Sequence, residues 1–284
     1  KCKALAEAGP FEELHALDGE GFSAIVKKYN IDTIFNLVAL LSATGEKNPK
    51  LAWDINIGAL TNSLYIAKDN NCAVFTPSSI GAFGNDTPKD KTPQDTLQRS
   101  NTTIYGVCKV TGELLSDYYF HRFGVDTRSV RFPGLISYVT LPGGGTTDYA
   151  VEIYYDAIRR GAFTCNVKAG TYMDMMYMPD ALNAVVQLME ADPSRLKHRN
   201  SFNIAAMSFE PGQIAAEIRK HLPDFKMDYQ IDPVKQAIAD SWPNSMDDSC
   251  AREEWGWKPE YNLQNMTVDM LVKVKEKFDK GLIK

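Results

Sequence analysis

The chain has 284 residues, of which 44% are hydrophobic and 24% charged, a composition typical of a globular protein with a substantial core. Lys and Arg total 31 against 36 Asp and Glu, and the net charge of −5 argues against a nucleic-acid or anionic-membrane partner. The longest run rich in apolar residues, 37–43, is far shorter than the ~20 residues of a transmembrane helix.

The cysteines and histidines are scattered along the chain. An odd number of cysteines without a C-x-x-C pair predicts reduced thiols in a reducing compartment. The four histidines form no H-E-x-x-H motif or clustered ligand set, so the sequence predicts no metal. The cysteines are Cys2, Cys72, Cys108, Cys165 and Cys250, and the histidines are His15, His121, His198 and His221.

Short β-rich runs alternate with amphipathic segments in the first half of the chain. The patterns predict helices at 22–29, 48–68 and 104–123, and buried strands at 33–41, 73–76 and 125–131. This order predicts an α/β fold with a doubly wound, parallel, Rossmann-like sheet. Ligands of such sheets bind beyond the carboxyl ends of the strands. The segments that leave those ends are 42–46, 78–84 and 133–136.

The sequence pattern changes after Pro133, where loops and short strands separate the predicted helices. We predict a dinucleotide-binding domain at 1–140 and a smaller α/β substrate-binding domain at 141–284, with some segments returning to the Rossmann sheet. The helices predicted in this half are 149–160, 180–191, 210–222 and 268–280.

Tyr105 and Lys109, in Tyr105-Gly-Val-Cys-Lys109, form the sharpest chemical candidate. A spacing of four places both side chains on one face of a helix. A phenol, with an ordinary pKa of ~10, is a poor base at neutral pH, but a neighbouring ammonium favours the phenolate, which can accept an alcohol proton. With 13 tyrosines in the chain, such a pair is expected about once by chance, so the spacing alone carries little weight.

Ser78 and Ser79 strengthen this candidate by their position. They follow the predicted strand 73–76 and precede the predicted helix that carries Tyr105. A serine hydroxyl at that strand end can hold a substrate oxygen while Tyr105 takes its proton. A serine pair that satisfies local backbone groups is the alternative interpretation. The whole arrangement of strand, serines, loop and helix is much rarer than any one of its parts.

Taken together, these segments resemble the extended short-chain dehydrogenases/reductases. Ser78-Ser-Ile-Gly-Ala-Phe-Gly84 matches the serine strand end of that family, with Ser79 at its catalytic serine, and Tyr105 and Lys109 match its Tyr-x-x-x-Lys pair. The resemblance covers essentially the whole chain and implies a Rossmann-like fold with NAD as cofactor. Its other parts are Asn36-Leu-Val-Ala-Leu-Leu-Ser42, Asn56, Arg131-Phe-Pro-Gly134 and Tyr177-Met-Pro-Asp180.

Within that family the chain is most similar to the short-chain L-threonine 3-dehydrogenases, notably in Thr76-Pro-Ser-Ser-Ile-Gly-Ala-Phe-Gly84 and Gly143-Gly-Gly-Thr-Thr-Asp-Tyr-Ala150. This similarity implies oxidation of L-threonine at its β-carbon to 2-amino-3-oxobutanoate, with Tyr105 as general base. The substrate contacts that it implies are Ser42, Ser79, Tyr105, Gly143, Thr146, Asp148 and Trp242. A core aromatic of the small domain is the alternative interpretation of Trp242.

The same similarity implies a set of cofactor contacts: Leu37, Ala39, Asn56, Tyr105, Lys109, Pro133 and Leu135. No G-x-G-x-x-G fingerprint is present in the sequence. In the family this fingerprint lies in the first strand–helix–strand unit, and we expect Lys1 to begin just after that unit. His15 stands where the family often has an acid near the adenine.

Two other functions remain open. The first is a sugar-nucleotide epimerase or dehydratase on the same scaffold. Met173 stands where many such relatives carry an arginine for the diphosphate, which favours the amino-acid substrate. The second is a catalytically silent, dinucleotide-sensing protein.

The resemblance also implies an assembly and a compartment. It implies a homodimer formed through the predicted helices 48–68 and 104–123. It further implies a location in the mitochondrial matrix or the cytoplasm.

Overall fold

A parallel α/β sheet forms the first part of the structure, a computed structural model that describes residues 9–96, 100 and 102–283. Strands β1, β2 and β4 lie side by side, and so do β3, β5 and β9. Because β2 leads into β3 and β4 into β5, the two groups are consecutive parts of one parallel layer. The strands are β1 (Thr33–Phe35), β2 (Ala73–Phe75), β3 (Ser78–Ser79), β4 (Thr127–Arg128), β5 (Val130–Phe132) and β9 (Phe202–Asn203).

The remaining strands pair in two smaller groups. Strand β8 lies between β6, to which it is parallel, and β10, to which it is antiparallel, while β7 and β11 form a parallel pair. These strands are β6 (Gly134–Ile136), β7 (Ala162–Cys165), β8 (Met173–Tyr177), β10 (Met207–Phe209) and β11 (Lys226–Tyr229).

Helices connect and cover these strands. The first five are α1 (Gly19–Tyr29), α2 (Ser42–Lys47), α3 (Pro49–Asn70), α4 (Ile104–Phe123) and α5 (Tyr149–Arg160). The others are α6 (Met178–Glu190), α7 (Pro211–Arg219), α8 (Pro233–Ser241), α9 (Ser249–Trp255) and α10 (Leu263–Asp279). None of the helices in the described part of the chain is long and apolar enough to span a membrane.

The helix ends follow from local chemistry. Helix α3 begins where Asn48 accepts a hydrogen bond from Leu51 N, with Pro49 at its first position. Helix α4 begins where Thr103 accepts one from Gly106 N and ends at Gly124, whose φ of 72° closes the helix in the left-handed region. The predicted bounds of this helix are confirmed.

The strand predicted over 33–41 is wrong beyond Phe35. The chain leaves the sheet there, and Leu37 and Leu41 are exposed. The backbone N–H and C=O of Leu40 bond to the Asn56 side chain instead of to a neighbouring strand. The following segment, predicted as a strand-end loop, forms the short helix α2.

The thiols of Cys72, Cys108, Cys165 and Cys250 are free, and Cys2 lies outside the described residues. Burial raises the pKa of each of these four thiols, and that of Cys165 to about 11. They therefore stay protonated at neutral pH, which agrees with the predicted structural role.

A buried ion pair joins helix α4 to strand β5. The Arg131 guanidinium donates two hydrogen bonds to the Glu113 carboxylate, at 3.1 and 2.9 Å, and both side chains are no more than 7% exposed. Ser78 Oγ also donates to Glu113, while Arg131 donates to Asn203 Oδ1 at 3.0 Å. The network therefore ties three strands of the sheet, β3, β5 and β9, to the covering helix.

We expect Glu113→Gln to lower the free energy of unfolding by about 3–5 kcal/mol, because it leaves a buried guanidinium without its counter-charge. Urea denaturation measures this change. Asp54→Asn is the control, because it removes an exposed partner of Lys50 and should cost less than about 1 kcal/mol. Equal effects of the two substitutions would contradict the role given to the buried pair.

Asp174, at the centre of the second group of strands, is a buried carboxylate that accepts a hydrogen bond from Met246 N at 2.7 Å. Its removal from water outweighs its backbone hydrogen bonds and raises its pKa to about 8. The folded protein therefore holds a proton on Asp174 over a pH range in which the unfolded chain has released it. The free energy of unfolding should fall as the pH rises from about 4 to about 8.

Asp174→Asn removes this titration and keeps an oxygen for Met246 N. We expect the melting temperature of this variant, relative to wild type, to be higher at about pH 9 than at about pH 5. Thermal unfolding followed by circular dichroism at both pH values measures the difference. A difference that does not change with pH would show that Asp174 is ionised throughout.

Candidate active site

A cavity of about 320 Å³ opens beyond the carboxyl ends of β1, β3 and β5, where the topology predicts a ligand. Its wall contains most of the side chains that the sequence singled out. These are Leu37, Ala39, Ser42, Ser79, Tyr105, Lys109, Pro133, Leu135, Thr146, Asp148 and Trp242. Gly143 and Asn56 do not line it.

Tyr105 and Ser79 meet beside Gly81. A methyl group on Gly81 would lie 3.2 Å from Tyr105 Cε1 and 3.4 Å from Ser79 Oγ. Ser79 Oγ accepts a hydrogen bond from Gly81 N, which fixes the first turn after strand β3. The Ser79 hydroxyl and the edge of the Tyr105 ring therefore both lie next to a glycine that leaves space for them.

Gly106 allows this close approach. A methyl group there would lie 2.5 Å from Gly81 O and 1.9 Å from Ser100 Oγ, so only glycine lets α4 rest on the turn. Ser100 Oγ donates a hydrogen bond to the same carbonyl at 2.7 Å. The residue that follows Tyr105 thus determines how near the phenol comes to strand β3.

Lys109 lies one turn further along α4. Its Nζ is 5.3 Å from the centre of the Tyr105 ring and donates to Pro77 O at 2.5 Å. An ammonium has three N–H groups, and among the described residues Lys109 donates one of them, to Pro77 O. The other two can bind a ligand. Burial raises the pKa of the neighbouring Cys108 thiol, so this side chain is not a nucleophile at neutral pH.

Asn56 supports the site from outside the main cavity. Its amide accepts from Leu40 N at 2.7 Å and donates to Leu40 O at 3.2 Å. It also lines a separate cavity of about 30 Å³, together with Lys109 and the unpaired, buried Thr76 Oγ1. The volume and the polar wall suit a bound water. The structure therefore gives Asn56 a role in holding the 36–41 segment.

The glycine-rich loop is held by Asp148. Its Oδ2 accepts hydrogen bonds from Gly144 N at 2.7 Å and Gly145 N at 2.6 Å. These two N–H groups are therefore already engaged within the loop. Gly143 is exposed, and a methyl group on it would have no neighbour within 4 Å, whereas Thr146 is buried in the cavity wall.

The apolar part of the cavity fits the nicotinamide end of NAD. Leu37, Ala39, Pro133 and Leu135 form its wall, and a flat ring can pack on such a surface. Lys109 would hold ribose hydroxyl groups beside them. The pyrophosphate has no matching glycine turn in this sequence, so no phosphate contact is assigned.

His198, Cys250 and Glu254 come together away from this cavity, although their spacing gave no signal in the sequence. Glu254 already accepts hydrogen bonds from Lys197 N at 2.6 Å and His198 N at 3.1 Å, and its other oxygen bonds to the His198 ring. These bonds explain the positions of the histidine and the carboxylate without an ion. The absence of a metal stays a prediction.

Sequence reasoning missed the residues that support the site from behind. Glu113 could have been found, since it continues the spacing of Tyr105 and Lys109 by one further helical turn. Lys89, whose Nζ donates to Trp242 O at 3.1 Å, lies too far along the chain to leave any local signal.

Comparison with known proteins gives consistent results. The model of the NAD dependent epimerase/dehydratase family matches residues 1–205. An uncharacterized epimerase/dehydratase of Staphylococcus haemolyticus is 59% identical over 269 residues, which are 95% of this chain and 84% of that relative. The structure of L-threonine dehydrogenase from Clostridium difficile is 58% identical, with a TM-score of 0.94, over 96% of this chain and 85% of that chain.

A second neighbour is a monomeric L-threonine 3-dehydrogenase from a metagenome database, 42% identical with a TM-score of 0.90 over 94% of this chain and 85% of that chain. The family model covers more than half of the chain, and these relatives align with nearly all of it. The predicted α/β Rossmann-type fold is thereby confirmed. The chain belongs to the NAD dependent epimerase/dehydratase family, within the extended short-chain dehydrogenases/reductases.

Proposed function

We propose that this protein is an NAD-dependent L-threonine 3-dehydrogenase. The observation that carries the proposal is the single cavity wall shared by Ser79, Tyr105, Lys109 and Asp148. It combines a phenol, an ammonium and a hydroxyl for alcohol oxidation with a carboxylate for an amino acid. The solved L-threonine dehydrogenases with this fold support the same activity.

Residues of the cavity wall carry out the proton transfer from the substrate hydroxyl. Tyr105 Oη accepts the hydroxyl proton of threonine as the β-carbon becomes a ketone, which gives 2-amino-3-oxobutanoate. The Lys109 ammonium lies 5.3 Å from the centre of the Tyr105 ring, and Ser79 donates a hydrogen bond to the reacting oxygen. Bound NAD supplies the acceptor for the hydride that leaves the β-carbon.

The substrate's charged groups find partners in the same wall. Asp148 Oδ1 is free of the two loop N–H groups that bind Oδ2, so it can face the ammonium of threonine. The hydroxyls of Ser42 and Thr146, both buried in the wall, suit the carboxylate. In this arrangement one carboxylate oxygen of Asp148 holds the loop and the other binds the substrate ammonium.

Sugar-nucleotide chemistry and a silent sensor remain the alternatives to exclude. The cavity wall contains one cation, Lys109, among the described residues, and a sugar-nucleotide diphosphate favours several. Ser79, Tyr105 and Lys109 are all present, which disfavours a silent protein. The deciding assays follow NADH formation with L-threonine, D-threonine and L-serine. With UDP-glucose they follow the sugar product by chromatography, because epimerases and dehydratases regenerate their NAD in each turnover.

We expect turnover with L-threonine and none with UDP-glucose. Turnover of the sugar nucleotide without threonine activity would show that the protein is an epimerase or dehydratase. NAD binding without any oxidation would select the sensor.

We expect Tyr105→Phe to lower kcat for L-threonine by about 10²–10⁴-fold, because it removes the proton acceptor. NADH binding, measured by fluorescence titration, should stay close to wild type. Tyr229→Phe is the matched control, because its exposed side chain lies on β11, outside α4 and outside the cavity wall. Near-normal turnover by Tyr105→Phe would reject the role of this phenol.

The exposed faces of α3 and α4 support a homodimer. Trp53 and Tyr65 on α3, and Leu114 and Tyr118 on α4, are each at least 40% exposed. The two helices pack side by side, so these side chains offer one apolar surface. The bacterial relatives favour the cytoplasm over the mitochondrial matrix as the compartment.

Light scattering should give twice the 31.7 kDa mass of one chain. Leu114→Lys should reduce the mass to that of a single chain, because it buries a charge in the contact. Leu282→Lys, at an exposed leucine outside these helices, is the control. A wild-type protein of single-chain mass, like the monomeric neighbour, would reject the dimer.

A further inference from the structure

Trp242 separates two cavities. It lines the 320 Å³ candidate active site on one side and a second cavity of about 300 Å³ on the other. The second cavity is polar, with Lys89, Tyr172 and Gln236 in its wall. Trp242 is only 8% exposed and belongs to both walls, so its side chain is packed where the two cavities adjoin.

The segment that follows Trp242 is fastened to a distant loop. Asn244 N donates to Lys89 O at 2.7 Å, Thr92 N to Ser245 O at 2.9 Å, and Asp247 N to Thr92 O at 3.0 Å. This backbone pairing joins the loop between β3 and α4 to the segment after α8. Trp242 therefore stands on a turn that is held in place and not on a free loop.

Lys89 adds a charged contact to this pairing. Its Nζ donates to Asp240 O at 2.8 Å and to Trp242 O at 3.1 Å. Both carbonyls lie at the end of helix α8, where the negative end of the helix dipole attracts a cation. Burial lowers the pKa of Lys89, but the ammonium form supplies the two hydrogen bonds.

We propose that Trp242 is a partition that restricts the substrate to a small group on its β-carbon, and that Lys89 is the positioning residue that holds it. This inference rests on the proposed function, in which that group is the methyl of threonine. Without the indole, the two cavities become continuous. A larger β-substituent could then extend into the space beside Tyr172 and Gln236.

The first test compares L-threonine with L-threo-phenylserine, in which a phenyl group replaces the methyl. We expect Trp242→Ala to raise the ratio of kcat/KM for phenylserine to that for threonine by about 10-fold or more. Tyr172→Ala is the matched control, because it enlarges the second cavity and leaves the partition intact. Its ratio should equal that of wild type.

The second test concerns Lys89. Lys89→Met should raise KM for L-threonine several-fold with little change in kcat, because the indole loses its fixed position. Acrylamide should then quench the fluorescence of Trp242 more strongly, measured as the difference from the same variant carrying Trp242→Phe. Lys91→Met, an exposed lysine two residues on, should change neither quantity.

An unchanged substrate ratio in Trp242→Ala, with the variant folded by circular dichroism, overturns the partition. Unchanged KM and quenching in Lys89→Met overturn the positioning role. Wild-type turnover of L-threonine separately tests the proposed function. If wild type oxidised a different small alcohol, the same variants would be compared on that alcohol and a bulkier homologue.

Discussion

The ion pair between Arg131 and Glu113 is the constraint on which the candidate site depends. Neither charge can remain buried without the other, so strand β5 and helix α4 are held at a fixed separation. Glu113, Lys109 and Tyr105 follow one another at four-residue intervals, so the same contact also sets the rotation of α4. The side chains that we propose for proton transfer are thus aligned by a pair that lies outside the cavity wall.

The same pair acts on the opposite wall of the cavity. Glu113 binds Ser78, and successive side chains of a strand point to opposite sides. Holding Ser78 inward therefore turns Ser79 toward Tyr105. This explains why two adjacent serines with the same side chain have different surroundings.

The sequence predicted the parts of this structure that have local signals. Helix α4 was placed correctly because apolar spacing fills it and Gly124 ends it. The strand predicted over 33–41 is too long. Its later apolar residues, such as Leu37, line the cavity, and their sequence pattern is the same as that of a buried strand. Gly143 was included with its loop, but the loop's direction depends on Asp148, which spacing does not reveal.

Contacts between distant residues could not be predicted from the sequence. Arg131 and Glu113 are separated by 18 positions, and Lys89 and Trp242 by 153. Nothing in the local pattern distinguishes Lys89 from a solvated surface lysine. Such residues are visible only once the fold brings the loop after β3 against the end of α8.

Helix α2 is tied to helix α4 by a contact outside the cavity. The Glu46 carboxylate accepts a hydrogen bond from Ile104 N at 2.7 Å, so the first turn of α4 is capped by the helix that carries Ser42. The helices that carry Ser42 and Tyr105 are therefore in direct contact, so we expect the effects of substitutions at these two residues on the free energy of unfolding to be non-additive. A substitution at Glu46 that removes this cap would therefore change how Ser42 and Tyr105 influence each other, although Glu46 itself is exposed.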